Sequence, residues 1–155
     1  MKEILLTQNQ VAKVSDNRFI YYSQWRWYAQ WSEDTKSFYA VRDERKNLVR
    51  RHVYMHRDIM NTPENMFCDH INHDTLDNQD ENLRNVTPSQ NQMNKVMARK
   101  NKLGHKNIRR HGPSFEVTIK KEGRCVFYKT FRTLEEAIIV RDEMIKKYHG
   151  NFHYL

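Results

Sequence analysis

The stretch Phe67-Cys68-Asp69-His70-Ile71-Asn72-His73-Asp74-Thr75-Leu76-Asp77-Asn78-Gln79-Asp80-Glu81-Asn82-Leu83-Arg84-Asn85-Val86-Thr87-Pro88-Ser89-Gln90-Asn91 decides how this chain is read. Met66-Phe67-Cys68 is a short apolar strand entering Asp69-His70. Asn72 to Glu81 is a polar loop, rich in the Asn and Asp side chains that bond their own backbone in turns. Leu83–Val86 reads as a second strand, and Thr87-Pro88 supplies an N-cap and a proline at the first helical position. The helix is expected to reach about Met97. Strand, loop, strand and helix in about 32 residues cannot bury a core of their own. The unit must lean on its neighbours or on a bound ion.

Charge is divided around this stretch. Met60 to Leu83 holds no Lys or Arg but six acids, Glu64, Asp69, Asp74, Asp77, Asp80 and Glu81. Gln92 to Arg132 holds twelve basic residues and two acids, Glu116 and Glu122. Carboxylates can hold a metal and cations a phosphate backbone, although charge runs are also commonly plain solvated surface. The whole chain has 155 residues and a net charge of +8, enough for one ordinary domain or two to three small modules. Apolar residues make up 38%, below the ~45–50% of compact chains, while 12% aromatics argue against disorder. No apolar run approaches the ~20 residues of a membrane span, and residues 1–20 lack the apolar core of a secretory signal. Two cysteines, Cys68 and Cys125, are too few for a disulfide framework or a Cys-rich zinc site. A soluble, cytoplasmic, basic protein with a polyanionic partner and no membrane partner is expected.

The flanks are legible more coarsely. Residues 1–56 read as mostly strand: Ile4–Leu6, Val11–Val14, and a period-two alternation of Trp25, Trp27, Ala29 and Trp31. These tryptophans suit the core of a small sheet better than base stacking. Phe38–Arg42 and Val49–Met55 suggest a hairpin with Asp43–Asn47 as its polar loop. Past a basic linker, Phe115, Val117 and Ile119 alternate with polar residues, Gly123 supplies a turn, and Arg124–Thr130 is the partner strand. Thr133-Leu134-Glu135-Glu136 is a capping box. Leu134, Ala137, Ile138, Arg141, Met144, Ile145 and Tyr148 then mark one face of a helix stopped by Gly150.

Two resemblances follow from these residues. Asp69-His70-Ile71-Asn72, Asp77-Asn78, Glu81-Asn82-Leu83-Arg84 and Thr87–Asn91 resemble the HNH motif of phage-type homing endonucleases. The spacings agree, twelve from His70 to Asn82 and twenty-two from Asp69 to Asn91. Tyr54–Met60 resembles the usual run before that motif. Further on, Lys106–Arg109, Tyr128–Phe131, Thr133–Ala137 and Tyr148–Phe152 resemble an APETALA-type (ethylene-response) DNA-binding domain, with Phe115 where that family often has Trp.

The resemblances imply an α+β, modular chain: a β-rich module over 1–60, a ββα-metal hairpin over 61–97, a basic linker over 98–106, and a three-stranded sheet with one packed helix over 107–155. They imply a metal-dependent endonuclease acting on double-stranded DNA, nicking it as a monomer, in the host cytoplasm if phage-borne. His70 has the pKa range of a base that takes a proton from water. Asp69 and Asn91 offer hard oxygens suited to Mg²⁺ or Mn²⁺. Asn82, by resemblance, holds the loop and the orientation of His70. Arg84 either meets the scissile phosphate or pairs with an island carboxylate. His73 is expected to be a loop histidine. Lys106, Arg109, Arg110, Lys120, Arg124 and Lys129 are the candidate DNA contacts, with Arg suited to guanine edges and Lys to phosphate. The rivals are a DNA-binding or regulatory protein with an inactive hairpin, and a single-strand or RNA binder using the tryptophans.

Overall fold

The computed structural model describes residues 1–46, 48–94 and 103–150. Its elements are β1 (Lys2–Leu5), β2 (Val11–Val14), α1 (Asp16–Tyr22), β3 (Tyr28–Ser32), β4 (Ser37–Lys46), β5 (Val49–Tyr54), α2 (Met55–Ile59), β6 (Phe67–His70), β7 (Asp77–Asn78), β8 (Leu83–Val86), α3 (Pro88–Asn94), β9 (Ile108–His111), β10 (Ser114–Lys121), β11 (Arg124–Phe131) and α4 (Leu134–His149). The α+β class is the one expected from the sequence. No helix among the described residues is long and apolar enough to cross a membrane. The chain forms two compact units, Met1–Thr87 and Pro88–Leu155. A module defined by resemblance and a unit defined by packing are different things: the two strands of the HNH-like stretch pack in the first unit, and α3 is counted with the second.

The first unit is built from three small sheets. β1 and β2 are antiparallel, and the two-residue β7 joins β2 in parallel, Lys13 opposite Asp77 and Val14 opposite Asn78. β3, β4 and β5 form an antiparallel meander, and β6 pairs with β8. Ile4, Ala12, Val14, Tyr22, Trp27, Ala40, Met55, Ile59 and Leu83 make one buried cluster. It draws on all three sheets and on α1 and α2, so the small hairpin β6–β8 borrows its core from residues 1–60.

Several sequence expectations are corrected here. Residues 16–22, read within a strand-rich region, are a helix; Arg18, Phe19 and Tyr22 turn inward at spacings of three and four, while Ile20 stays exposed. A continuous run of aromatic and branched residues looks like strand, and only the packing of Tyr22 selects the helix. The alternating tryptophans do not share one strand, because β3 begins at Tyr28. Trp27 is buried with its indole N–H donating to the Tyr22 carbonyl at 2.8 Å, Trp25 is half-buried, and Trp31 is exposed. The Arg42 guanidinium lies over both Trp25 and Trp27, at 4.7 and 5.6 Å from the rings. Residues 43–46, expected in a loop, continue β4, and the register closes at Lys46 opposite Val49. Met55–Ile59 is a short helix rather than a strand end, burying Met55, His56 and Ile59.

The second unit follows its sequence pattern closely. β9, β10 and β11 form an antiparallel sheet with β10 central. Glu122 and Gly123 make the β10–β11 turn, both with positive φ. Thr133 accepts the Glu136 amide at 3.3 Å as its cap. α4 lays Ala137, Ile138, Met144, Ile145 and Tyr148 on Val117 and Ile119 of β10. Arg141, on the same stripe, is buried and donates to the Lys106 carbonyl at 3.3 Å. Gly150 ends the helix at φ 57°, its amide returning to the Lys146 carbonyl. Lys95–Met97, the expected end of α3, and residues 98–102 of the expected linker lie outside the described residues.

Candidate active site

Asp69 and His70 are the last two residues of β6, and register fixes what each one meets. Asp69 stands opposite Arg84 of β8, and the pair is bonded: Arg84 Nε donates to Asp69 Oδ2 at 2.9 Å and Nη2 lies 2.8 Å from the same oxygen. Both side chains are largely buried, 10% exposed for Asp69 and 16% for Arg84. Of the two roles open to Arg84, the structure shows the pairing with an island carboxylate.

His70 stands opposite Leu83 and is buried. Burial pulls its pKa below the ordinary histidine value, against the opposing pull of Asn78 and the carboxylates of Asp69, Asp74 and Asp77. The ring is therefore neutral at pH 7. Its Nε2 lies 3.3 Å from Asn78 Oδ1. The Asn78 amide is itself pinned, because its Nδ2 donates to the Leu76 carbonyl at 3.0 Å. An amide oxygen only accepts, so the His70 proton sits on Nε2 and Nδ1 is the basic nitrogen. Asn78 is fully buried on β7, which β2 holds by backbone pairing. The orientation of His70 thus comes from Asn78, where the sequence reading had assigned it to Asn82.

Asn82 closes the loop. Its Oδ1 accepts the Asn72 amide at 3.0 Å and its Nδ2 donates to the Asp77 carbonyl at 2.7 Å. Its own carbonyl accepts the Ile71 amide at 2.9 Å. One buried side chain therefore ties both ends of a ten-residue excursion. The acidic island is braced from the N-terminal segment. Lys13 Nζ meets Asp74 Oδ2 at 3.2 Å. Arg18 grips Asp80 through Nε at 3.0 Å and Nη2 at 2.8 Å, and the Ser15 hydroxyl accepts the Asp80 amide at 2.8 Å. The Arg18 guanidinium holds the Asp80 carboxyl below its usual range. Three acids of the island, Asp69, Asp74 and Asp80, are thus paired with Arg84, Lys13 and Arg18 of the same unit.

A second buried histidine adjoins the first. The His56 ring centroid is 5.0 Å from that of His70, with Tyr39 and Tyr54 beside it. Burial, then the neighbouring His70, holds the His56 pKa well below its ordinary value. The Cys68 thiol donates to the His56 carbonyl at 3.3 Å, and burial pushes its pKa up to about 11. Asn78, His56, Lys13 and Arg18 were all missed as site residues by sequence reasoning. Asp77-Asn78 and the run Tyr54–Met60 carried the resemblance to the motif, but gave Asn78 and His56 no chemistry.

Asn91 lies in α3, half-buried. Among the described residues no three His, Cys, Asp or Glu side chains gather as a metal cage. The oxygen donors proposed by sequence, a carboxylate and a carboxamide, are a different kind of set, suited to a hard ion that keeps water and phosphate in its shell.

The candidate DNA contacts of the second unit divide between two faces. Pairing places Arg109 and Tyr128 beside Glu116 and Thr118 on the face away from α4. Arg109 donates to both Glu116 oxygens, at 2.7 and 3.0 Å, and the Tyr128 hydroxyl donates to the same carboxylate at 3.1 Å. Lys120 is exposed beyond a register shift that follows Ile119. Arg110 and Lys129 stand opposite Phe115 and Val117, on the α4 side, and Arg124 is exposed at the turn. Lys106 points inward: its ammonium donates to the Met93 carbonyl at 2.6 Å, and burial lowers its pKa. One sheet face cannot present all six cations together.

The family model described as HNH endonuclease matches residues 61–93. Over 142 residues the chain is 30% identical to an uncharacterized HNH endonuclease of Acanthamoeba polyphaga mimivirus, a match covering 91% of this chain and 72% of that protein. No solved structure matches.

Proposed function

The chain belongs to the HNH endonuclease family and is a DNA-cleaving hydrolase, and we propose that it is a metal-dependent, site-specific homing enzyme that nicks double-stranded DNA. The observation that carries the chemistry is His70, a neutral imidazole with Nε2 on Asn78 and Nδ1 as its base. His70 Nδ1 takes a proton from the attacking water. Asn78 and the loop closed by Asn82 keep the ring from turning. Asp69, anchored by Arg84, and Asn91 are the oxygen donors for Mg²⁺ or Mn²⁺. A divalent ion held there would supply Lewis-acid stabilisation of the charge that develops on the phosphate. One such site per chain favours a nick by a monomer.

The second unit is proposed as an APETALA-like DNA-binding domain. Arg109 is held flat by Glu116 on the open sheet face, the arrangement suited to a guanine edge. Lys120 shares the work of that sheet, while Arg110, Arg124 and Lys129 suit phosphates. The test is supercoiled plasmid carrying host or phage DNA, incubated with Mg²⁺, Mn²⁺ or EDTA and either the intact protein or His70→Ala. Metal-dependent open circles without linear product, lost in His70→Ala, support the reading. Linear product from the first turnover rejects nicking, and relaxation in EDTA rejects metal dependence.

A further inference from the structure

The meander β3–β4–β5 is not three strands wide throughout. β3 covers β4 only from Ser37 to Val41, whereas β4 and β5 stay paired out to Lys46 and Val49. The five pairs from Arg42–Val53 outward therefore lack a third strand over about 17 Å; Arg42 at their root is covered by Trp25 and Trp27, while Arg45, Arg50 and Arg51 farther out are exposed. Two-stranded ribbons are marginal in water unless something covers them. The tip exposes Leu48 completely and Val49 to 66%. Arg45 stands directly opposite Arg50, a like-charge pairing that works against the ribbon. Arg50 and Arg51 are 65% and 57% exposed, paired at the surface with Asp43 and Glu44. Exposed pairs of that kind are weak because water screens them, so a phosphate can replace the carboxylates.

An apolar tip between guanidiniums matches one occupant. Duplex DNA offers a polyanionic backbone for the arginines and grooves, major or minor, that β-ribbon proteins enter. Proteins that enter the minor groove in this way commonly wedge a Leu, Ile or Phe against the base steps. We propose that the β4–β5 ribbon is a DNA-docking arm: Arg45, Arg50 and Arg51 hold phosphates, and Leu48 is an apolar wedge in the minor groove. The proposal rests on the reading of this protein as an enzyme of double-stranded DNA. It adds a contact surface in the first unit, beside the catalytic loop's own support, to those of the second.

The experiment uses the full chain in EDTA and a fluorescent 30-base-pair mixed-sequence duplex labelled at both ends. Binding is measured against KCl concentration for the intact protein, for Arg45→Gln/Arg50→Gln/Arg51→Gln, and for the control Lys2→Gln/Arg26→Gln/Lys36→Gln. The ribbon variant should lower the salt slope by about two to three and the affinity at 150 mM KCl by about tenfold or more, the control by less than one in slope. Leu48→Ser should keep the slope and lose the end-to-end shortening that a wedge produces. Equal slopes for the intact and ribbon-variant proteins overturn the proposal, as does an equal drop in the control. A dimer that Leu48→Ser dissociates, with DNA binding unchanged, also overturns it and assigns the tip to a second copy. Plasmid relaxation run in parallel separates the two readings. If the intact protein cuts while the ribbon variant binds unchanged, the arm falls and the nuclease stands. If nothing cuts but the slope falls as stated, the arm stands and the nuclease falls.

Discussion

Replacing Asn82 by Leu removes two hydrogen bonds from the catalytic loop while keeping the same branched heavy-atom skeleton. The Asp77 carbonyl loses a buried donor at 2.7 Å, and the part-buried Asn72 amide loses an acceptor at 3.0 Å. A buried group left unsatisfied costs about 1–3 kcal/mol, and a part-buried one recovers some of that from water. Taking about 2 for the carbonyl and about 1 for the amide gives about 3 kcal/mol. With a urea dependence of about 1.5 kcal/mol per molar, the unfolding midpoint falls by roughly 2 M. The assay is simple because all three tryptophans, Trp25, Trp27 and Trp31, lie in the first unit. Their fluorescence follows that unit alone. Asn82→Asp keeps the acceptor for Asn72 but turns a buried carboxylate oxygen onto the Asp77 carbonyl, and should lower the midpoint at least as far. A midpoint shift for Asn82→Leu below about 0.3 M, or about 0.5 kcal/mol, would refute the claim that this side chain closes the loop.

Other consequences follow from the same geometry. Arg84→Met takes the guanidinium away from the largely buried Asp69 carboxylate and should cost about 3–5 kcal/mol, much of it restored in the double variant with Asp69→Leu; a urea double-mutant cycle measures the coupling. His56 and His70 are held neutral in the folded protein with pKa values below the unfolded one. The unfolded chain therefore binds more protons as pH falls below about 6.5, so stability of the first unit should decline there and be fully present above it. His56→Phe should flatten that decline, and thermal unfolding at pH 5 and pH 7.5 tests it. Thr133→Ala should cost about 1 kcal/mol through loss of the α4 cap, read as a lower helical melting temperature by circular dichroism.

Legibility differed sharply between elements. α4 was legible because its apolar stripe, cap and terminating glycine all agree, and each is a local property of the chain. The turn at Glu122-Gly123 was legible for the same reason. α1 was not, because Phe19-Ile20-Tyr21-Tyr22 satisfies both a strand and a helix, and the choice lies in what Tyr22 packs against. β7 was invisible as a strand: Asp77 and Asn78 have poor strand propensity and form one only because β2 offers free backbone groups beside them. For that reason Asn78 could not be named as the residue that orients His70. The extension of β4 was hidden by its charges, which look like a loop until cross-strand pairing to β5 is known.

The sequence by itself pointed to the HNH family, because Asp69, His70, Asn82 and Asn91 stand at the spacings of that family's motif. It also determined the mixed α+β class and the capped amphipathic helix of the second unit. The tertiary structure alone decided how the catalytic loop is held. The pairing of β2 with β7, the Arg18–Asp80 grip, the Arg84–Asp69 contact and the tilted His56–His70 ring contact join residues 14 to 64 positions apart. Contacts of that separation leave no periodic mark on the chain; they arise when a hairpin too small to bury its own core packs onto residues 1–60 and fixes the rotamers of both.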